Sequence, residues 1–198
     1  MRCFSCDSFS IEPICKSCVK DFLTPHIITR EIDGVEVISF FDYFLINEYI
    51  KSKYSASGYR IYKFFGKKFF NPFLKEYIKN LSIQRVYLIG VDGSLNRGYS
   101  NVALLLRYGS LGIKNLKPLY NALRAKRKVQ YAGKPLEFRL KNPREFVYKG
   151  PKNIEAILVD DTITTGTTLK EAIAILKENS VNIHFALTLA STQDGIDY

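Results

Sequence analysis

The stretch "VDDTITTGTT", Val159 to Thr168, places two adjacent carboxylates, Asp160 and Asp161, before a run of hydroxyls around one glycine. An apolar run precedes it and a helical pattern follows. Neighbouring carboxylates repel each other unless donors or a cation compensate; the vicinal hydroxyls of a ribose are suitable donors, and a bound Mg²⁺ lowers the cost further. Thr164, Thr165, Gly166, Thr167 and Thr168 lead into the next helix, whose first backbone N–H groups have no partners within it. Gly166 permits a close or left-handed backbone approach, the threonine hydroxyls, Thr162 included, add donors, and the helix dipole favours an anion. Acids for sugar hydroxyls and a loop for a phosphate together imply a sugar phosphate. An ordinary capping box between Thr168 and Glu171 would explain two of these residues and leave the acid pair and the glycine unexplained. A Walker loop is excluded, because no lysine follows the glycine in the required pattern.

A second group is the cysteines. Cys3 and Cys6 form one CxxC, and Cys15 and Cys18 form another after eight intervening residues. Four thiolates so spaced can surround one Zn²⁺ tetrahedrally at Zn–S of about 2.3 Å. A thioredoxin-like redox role needs one CxxC at a helix N-terminus in a βαβ setting, which neither pair has. Metal binding would fold a segment too short to have a core of its own.

The net charge of +10 is unevenly placed. Between Lys51 and Lys152 there are 23 Lys or Arg against four acids, Glu76, Asp92, Glu137 and Glu145, whereas the rest carries 6 basic and 15 acidic residues. So basic a middle suggests a polyanionic partner, with nucleic acid ahead of anionic lipid because no amphipathic helix is obvious. Arg97, Arg124, Lys126, Arg127 and Lys128 are the candidate phosphate contacts, and Tyr131 a candidate stacking partner. No apolar run reaches the roughly 18 residues of a membrane span, and "MRCFSC" lacks the apolar region of a secretory signal. The expected location is cytoplasmic.

These groups need elements to position them. "VEVISFFDYF" reads as a strand passing into a helix through "INEYIKSKY", and a second helix is expected over Tyr59 to Asn80. Its aromatics Tyr62, Phe65, Phe69, Phe73 and Tyr77 recur at helical spacing, which favours a buried face over base-stacking platforms. "RVYLIGVD" and "EAILVD" read as buried strands, "GSLNRGYSNVALLLRYG" as a loop and helix ending near Gly109, and Leu123 to Phe146 as a flexible basic stretch. The helix "TLKEAIAILKEN", with Leu169, Ile173 and Leu176 on one face, and the strand "IHFALTLA" close the chain. Strands alternating with helices predict an α/β fold with a parallel sheet. The acid pair then falls at the carboxyl end of a strand, where such sheets bind ligands.

With those residues in view, "ILVDDTITTGTTL" resembles the phosphoribosyl pyrophosphate (PRPP) motif of type I phosphoribosyltransferases. The resemblance implies that Asp160 and Asp161 contact the ribose hydroxyls and that Thr164 to Thr168 hold the 5′-phosphate. The whole chain is similar to the ComF family of competence proteins, through its four cysteines, "YIKSKY", "RGYSNVA", "VQYAGKPLEFRLKNPREF" and "VDDTITTGTT" in that order. This implies a type I phosphoribosyltransferase-like parallel sheet flanked by helices over residues 25–198, with a small zinc finger over residues 1–24. It also implies handling of incoming single-stranded DNA in natural transformation, at the cytoplasmic side of the inner membrane, beside an uptake channel and a helicase-like motor. The chain departs from the family at "IGVDGSLNRG", where Asp92 replaces a proline-rich turn; an acid there repels a diphosphate unless Mg²⁺ bridges it.

Two alternatives stay open. One is an active phosphoribosyltransferase, in which PRPP loses pyrophosphate and Mg²⁺ with basic residues stabilises the departing charge. No acceptor or catalytic base is readable for it, since His26 and His184 read as a surface and a strand residue. The other is a regulator that senses PRPP without turnover.

Overall fold

The structure, a computed structural model, describes residues 1–82, 84–91, 100–127 and 136–192. Its centre is built from apolar runs whose neighbouring residues belong to different cores. Leu88, Ile157 and Leu187 pack on one side, and Ile89, Leu158 and Ala186 on the other. A strand apolar on both faces belongs in a parallel sheet covered on both sides.

Among the described residues that sheet has seven strands. Its order is β1 (Ile28–Ile32), β2 (Val35–Asp42), β9 (Val181–Ser191), β7 (Ile154–Val159), β3 (Val86–Gly90) and β4 (Leu116–Leu119). The short β8 (Thr162–Ile163) pairs with the end of β9. All pairings are parallel except β1 with β2. That exception is a hairpin closed by Asp33 and Gly34, both at positive φ, as a two-residue Asp-Gly turn requires. The strands β1 and β4 lie outside the sequence expectation, although "IITREIDGVEVISF" carries the hairpin signal.

One face is covered by α2 (Tyr43–Lys51), α3 (Gly58–Phe65), a π turn (Gly66–Phe70), α4 (Asn71–Lys79) and α5 (Asn101–Gly109). The helix expected over Tyr59 to Asn80 is thus one run interrupted by a π turn. Tyr62, Phe65 and Phe69 are buried, and Phe73 meets Phe40 and Phe185 edge-on at 5.6 and 6.0 Å. This is core packing, each buried ring contributing roughly 2 to 3 kcal/mol of transfer energy.

The opposite face holds α7 (Thr167–Glu178), through Leu169, Ile173 and Leu176, and a two-stranded pair, β5 (Leu123–Ala125) with β6 (Phe146–Tyr148). The stretch from Leu123 to Phe146, expected to be flexible, therefore starts and ends in paired strands and contains α6 (Leu136–Lys141). Leu123, Phe146 and Tyr148 are buried in the second core, which offsets the entropy of ordering this segment.

At the N-terminus, α1 (Lys16–Phe22) starts at the second cysteine pair, with Cys15 as its N-cap and Cys18 in its first turn. Cys3, Ile14, Cys18 and Leu23 join the first core, and Phe4 lies 5.5 Å from the ring of Tyr49 on α2. Among the described residues no helix is long and apolar enough to cross a membrane.

Candidate functional site

The acid pair follows the last residue of β7 and is fixed to β9 by its backbone. The Asp160 N–H donates to the Leu187 carbonyl at 3.1 Å, and the Asp161 carbonyl accepts from Leu189 at 3.1 Å. Consecutive side chains on an extended segment point to opposite faces. Asp160 accordingly lines an open pocket of about 220 Å³ together with Thr162, Ile163, Thr164, Thr165, Gly166, Thr167, Thr168 and Leu169.

Asp161 is not among the lining residues of that pocket. Its Oδ2 accepts from Lys53 Nζ at 2.8 Å and from the Tyr62 hydroxyl at 3.1 Å. Lys53 and Asp161 are only 22% and 13% exposed, so this ion pair is largely withdrawn from water. Burial works against both charges, but their attraction outweighs it: the Asp161 pKa is lowered and the Lys53 pKa is raised. Burial and the charge of Asp161 hold the Tyr62 hydroxyl well above its usual range, as a neutral donor.

Asp160 titrates differently. Burial, and then the charge of Asp161 next to it, push its carboxyl up to about 7, despite the opposing charges of Arg144 and Lys53. One carboxylate is held ionised by a lysine, and the other is poised to gain or lose a proton near neutrality.

The loop that completes the pocket has the local geometry its glycine suggests. Gly166 has φ of +80° and is the N-cap of α7, with no side chain capping the helix. A Cβ there would lie 2.6 Å from Cδ1 of Ile32, so β1 packs where only glycine fits. The Thr165 and Thr167 hydroxyls are 3.0 Å apart, and Arg30 of β1 donates to the Thr164 carbonyl. The capping-box alternative is not formed, since the N-cap is Gly166 and Thr168 lies inside the helix; Glu171 accepts the Arg144 backbone N–H at 2.9 Å. Thr162 lines the pocket, while its Oγ1 is shut off from solvent without a hydrogen-bond partner among the described residues. The uncapped N–H groups of a twelve-residue helix, beside a carboxylate, can take a phosphate and a sugar hydroxyl together.

The four cysteines come together. Their sulfurs all lie within 4.8 Å of one another, near the roughly 3.8 Å edge of a tetrahedron with Zn–S bonds of about 2.3 Å. None is in a disulfide. Cys15 caps α1 by accepting from the Cys18 N–H, and the Cys15 N–H donates to Cys3 Sγ at 3.2 Å. Burial raises the Cys3 thiol, but backbone donors from Cys15, Cys6 and Ser5 bring it down to about 6. Cys18 is pushed up to about 12 by burial and by its neighbouring sulfurs. Four crowded sulfurs cannot all ionise without a cation among them, so the donor set fits a metal such as zinc. Among the described residues no other three His, Cys, Asp or Glu come close enough to share an ion.

Of the nucleic-acid candidates, Arg124, Lys126 and Arg127 are exposed at the β5–β6 pair. Arg124 donates to the Asn121 carbonyl, and Arg127 faces Glu145 at 3.5 Å. Arg97, Lys128 and Tyr131, like Asp92, lie outside the described residues. His26 is exposed, and His184 on β9 is bonded to Tyr77 and Glu155.

Sequence reasoning missed Lys53, Tyr62, Arg144 and Arg30 as parts of the site. "YIKSKY" holds Lys53, but it lies 108 residues from Asp161, and no local spacing links them.

No protein-family model matches the chain, and no curated protein matches it in sequence. Among solved structures it is similar to an adenine phosphoribosyltransferase from Saccharomyces cerevisiae, at 16% identity over 91% of this chain and 92% of that one, with a TM-score of 0.44. It is also similar to a hypoxanthine phosphoribosyltransferase from Staphylococcus aureus, at 14% identity over 69% of each chain and a TM-score of 0.42. An orotate phosphoribosyltransferase from Aeropyrum pernix is 18% identical over 90% of this chain and 82% of that one, with a TM-score of 0.39. These are likenesses of fold.

Proposed function

We propose that the chain binds PRPP, or a simpler ribose phosphate, in the pocket between Asp160 and the start of α7. The observation that carries this reading is the uncapped helix start behind left-handed Gly166, with a carboxylate in the same pocket. The 5′-phosphate accepts from the N–H groups of the Thr164–Thr168 loop, and a ribose hydroxyl donates to Asp160. Lys53 and Tyr62 hold Asp161 and so position the turn that carries Asp160. Mg²⁺, bound with the diphosphate, supplies charge neutralisation.

Calorimetric titration of PRPP with Mg²⁺ into the wild type and an Asp160→Asn, Asp161→Asn variant tests this. Binding to the wild type that vanishes in the variant is the expected result; equal binding to both, or to neither, contradicts it.

The wider role is handling of single-stranded DNA during natural transformation, with residues 1–24 as a zinc-bound finger and residues 25–198 as a phosphoribosyltransferase-like unit. Its support is the ComF-like motif order and the exposed Arg124, Lys126 and Arg127. The partners that follow are an inner-membrane DNA channel and a helicase-like motor, met from the cytoplasm. Affinity for single strands should fall steeply with salt. The alternative is transfer of ribose 5-phosphate to an acceptor. Pyrophosphate release on adding bases, nucleotides or DNA ends would establish it, and silence with all of them would leave binding without turnover.

A further inference from the structure

The basic middle of the chain has a second face, on the side of the sheet away from β5 and β6. Tyr108 lies near the end of α5, its ring surrounded by three cations. Lys63 Nζ is 5.5 Å from its centroid, Lys67 Nζ 5.7 Å and the Arg107 guanidinium 5.6 Å. Each cation gains from the ring's negative face, but three like charges on one ring also repel one another.

Among the described residues no carboxylate forms an ion pair with Lys63, Lys67 or Arg107. The exposed Arg60 and Lys68 add to the same helical run, where the first acid after Lys63 is Glu76. The surface thus concentrates positive charge without internal compensation.

The backbone brings the cations together through a close helix crossing. A Cβ on Gly66 would sit 2.8 Å from Cβ of Tyr108, and one on Gly109 would sit 3.1 Å from Cβ of Phe70. Two glycines let α5 approach the π turn closely enough to seat Tyr108 between Lys63 and Lys67. π turns of this kind recur at functional sites.

Aromatic rings flank the cations. The Tyr59 hydroxyl is 3.0 Å from that of Tyr108, and Tyr59 itself is exposed. Cations interleaved with exposed rings are what a single strand needs, phosphates on the charges and bases on the rings. A membrane would need a cluster of exposed aliphatic side chains, and among the described residues from Arg60 to Tyr120 only Leu111 is a large exposed one.

We infer that Lys63, Lys67 and Arg107, gathered on Tyr108 and flanked by Tyr59, form a binding surface for the backbone of single-stranded nucleic acid, separate from the β5–β6 pair. The inference rests on the DNA-handling role proposed above and adds a second track to it. Tyr62 of α3 bonds Asp161 while Lys63, the next residue, faces Tyr108, so one helix separates this track from the acid pair.

The test is fluorescence anisotropy of labelled oligo-dT of about 20 nucleotides, at several salt concentrations, with the full chain. Three proteins are compared: the wild type, a Lys63→Gln, Lys67→Gln, Arg107→Gln variant, and an Arg124→Gln, Lys126→Gln, Arg127→Gln variant. Losing three phosphate contacts should weaken binding about tenfold or more and lower the slope of log affinity against log salt by about 2. The single Arg107→Gln variant, exposed and outside the core, should show about a third of that slope change and guards against misfolding of the triple variant.

Wild-type binding with a triple variant at Lys63, Lys67 and Arg107 that is unchanged in affinity and slope overturns the inference and leaves the DNA role to the β5–β6 pair. A wild type that binds no oligo-dT removes both. Loss of binding to phosphatidylserine vesicles with oligo-dT affinity intact would reassign the surface to lipid and also overturn the inference.

Discussion

The cysteine knuckle and the acid pair both gather groups of like charge, and they compensate it in different ways. Four sulfurs meet, and burial followed by the neighbouring sulfurs pushes Cys18 up to about 12. Two carboxylates meet with Lys53 on one of them at 2.8 Å and Arg144 acting on both. The sulfur cluster fits an ion from outside, whereas the acid pair carries its own counter-charge and leaves a single group, Asp160, to meet a ligand. The first site is therefore stabilised from outside and the second is prepared from within.

The largest expected effect breaks the first half of this comparison. Zinc held by the four cysteines would contribute on the order of 10 kcal/mol, which a strong chelator, or substituting Cys18→Ser, would forfeit. Because Cys3 and Cys18 share the core that includes Tyr49 and Phe65, the loss should spread beyond the knuckle. A fall in the thermal midpoint of roughly 10 °C or more is expected, and an unchanged midpoint after metal removal would separate the knuckle from the fold.

The next effect falls on the internal counter-charge. Lys53→Met leaves Asp161 buried beside its neighbour without its paired cation, with only the charge of Arg144 to oppose the repulsion, and should cost about 3 kcal/mol in urea denaturation. Lys53→Met with Asp161→Asn should recover much of that loss; if the double variant is no more stable than Lys53→Met, the pair is not coupled as described.

At Gly166 the expected cost is smaller. Gly166→Ala forces a side chain into a left-handed φ and against Ile32, at about 1 to 3 kcal/mol, while disturbing the phosphate loop itself. Phosphate-ester affinity should drop more than stability, measured by titration beside melting.

The smallest effect is a pH dependence, and its sign follows from Asp160. An unfolded Asp gives up its proton near 3.9, but the folded Asp160 keeps its proton up to about 7. Between those values the folded state binds more protons, so this group's contribution to stability falls as pH rises from about 4 to 7 and is level above. The lowered Asp161 acts oppositely, its contribution being present above the unfolded value and lost as pH falls through the folded one. Melting curves of the wild type against Asp160→Asn should show the decline toward pH 7 only in the wild type.

What the sequence made legible was local. Cys3, Cys6, Cys15 and Cys18 announce a metal site by spacing, and Thr164 to Thr168 announce a phosphate loop because the geometry of a helix start is set by consecutive residues. The buried strands were legible because each is apolar on both faces. The division of labour between Asp160 and Asp161 was not, since it depends on which face carries Lys53 and Tyr62, which arrive from the turn after α2 and from α3 across the fold. Nor was the Tyr108 surface, because it needs Gly66 and Gly109 to bring two helices into contact. Cross-chain approach of this kind leaves no period or motif behind.

The central claim is that Asp160 and the start of α7 form one ribose phosphate site. The most direct measurement is a titration of ribose 5-phosphate into ¹⁵N-labelled protein, following the backbone amide signals of Thr164 to Leu169. Saturable shifts centred on those amides, with affinity weakened in Asp160→Asn, are predicted. Amides of the loop that stay unmoved, or shifts identical in Asp160→Asn, would contradict the account.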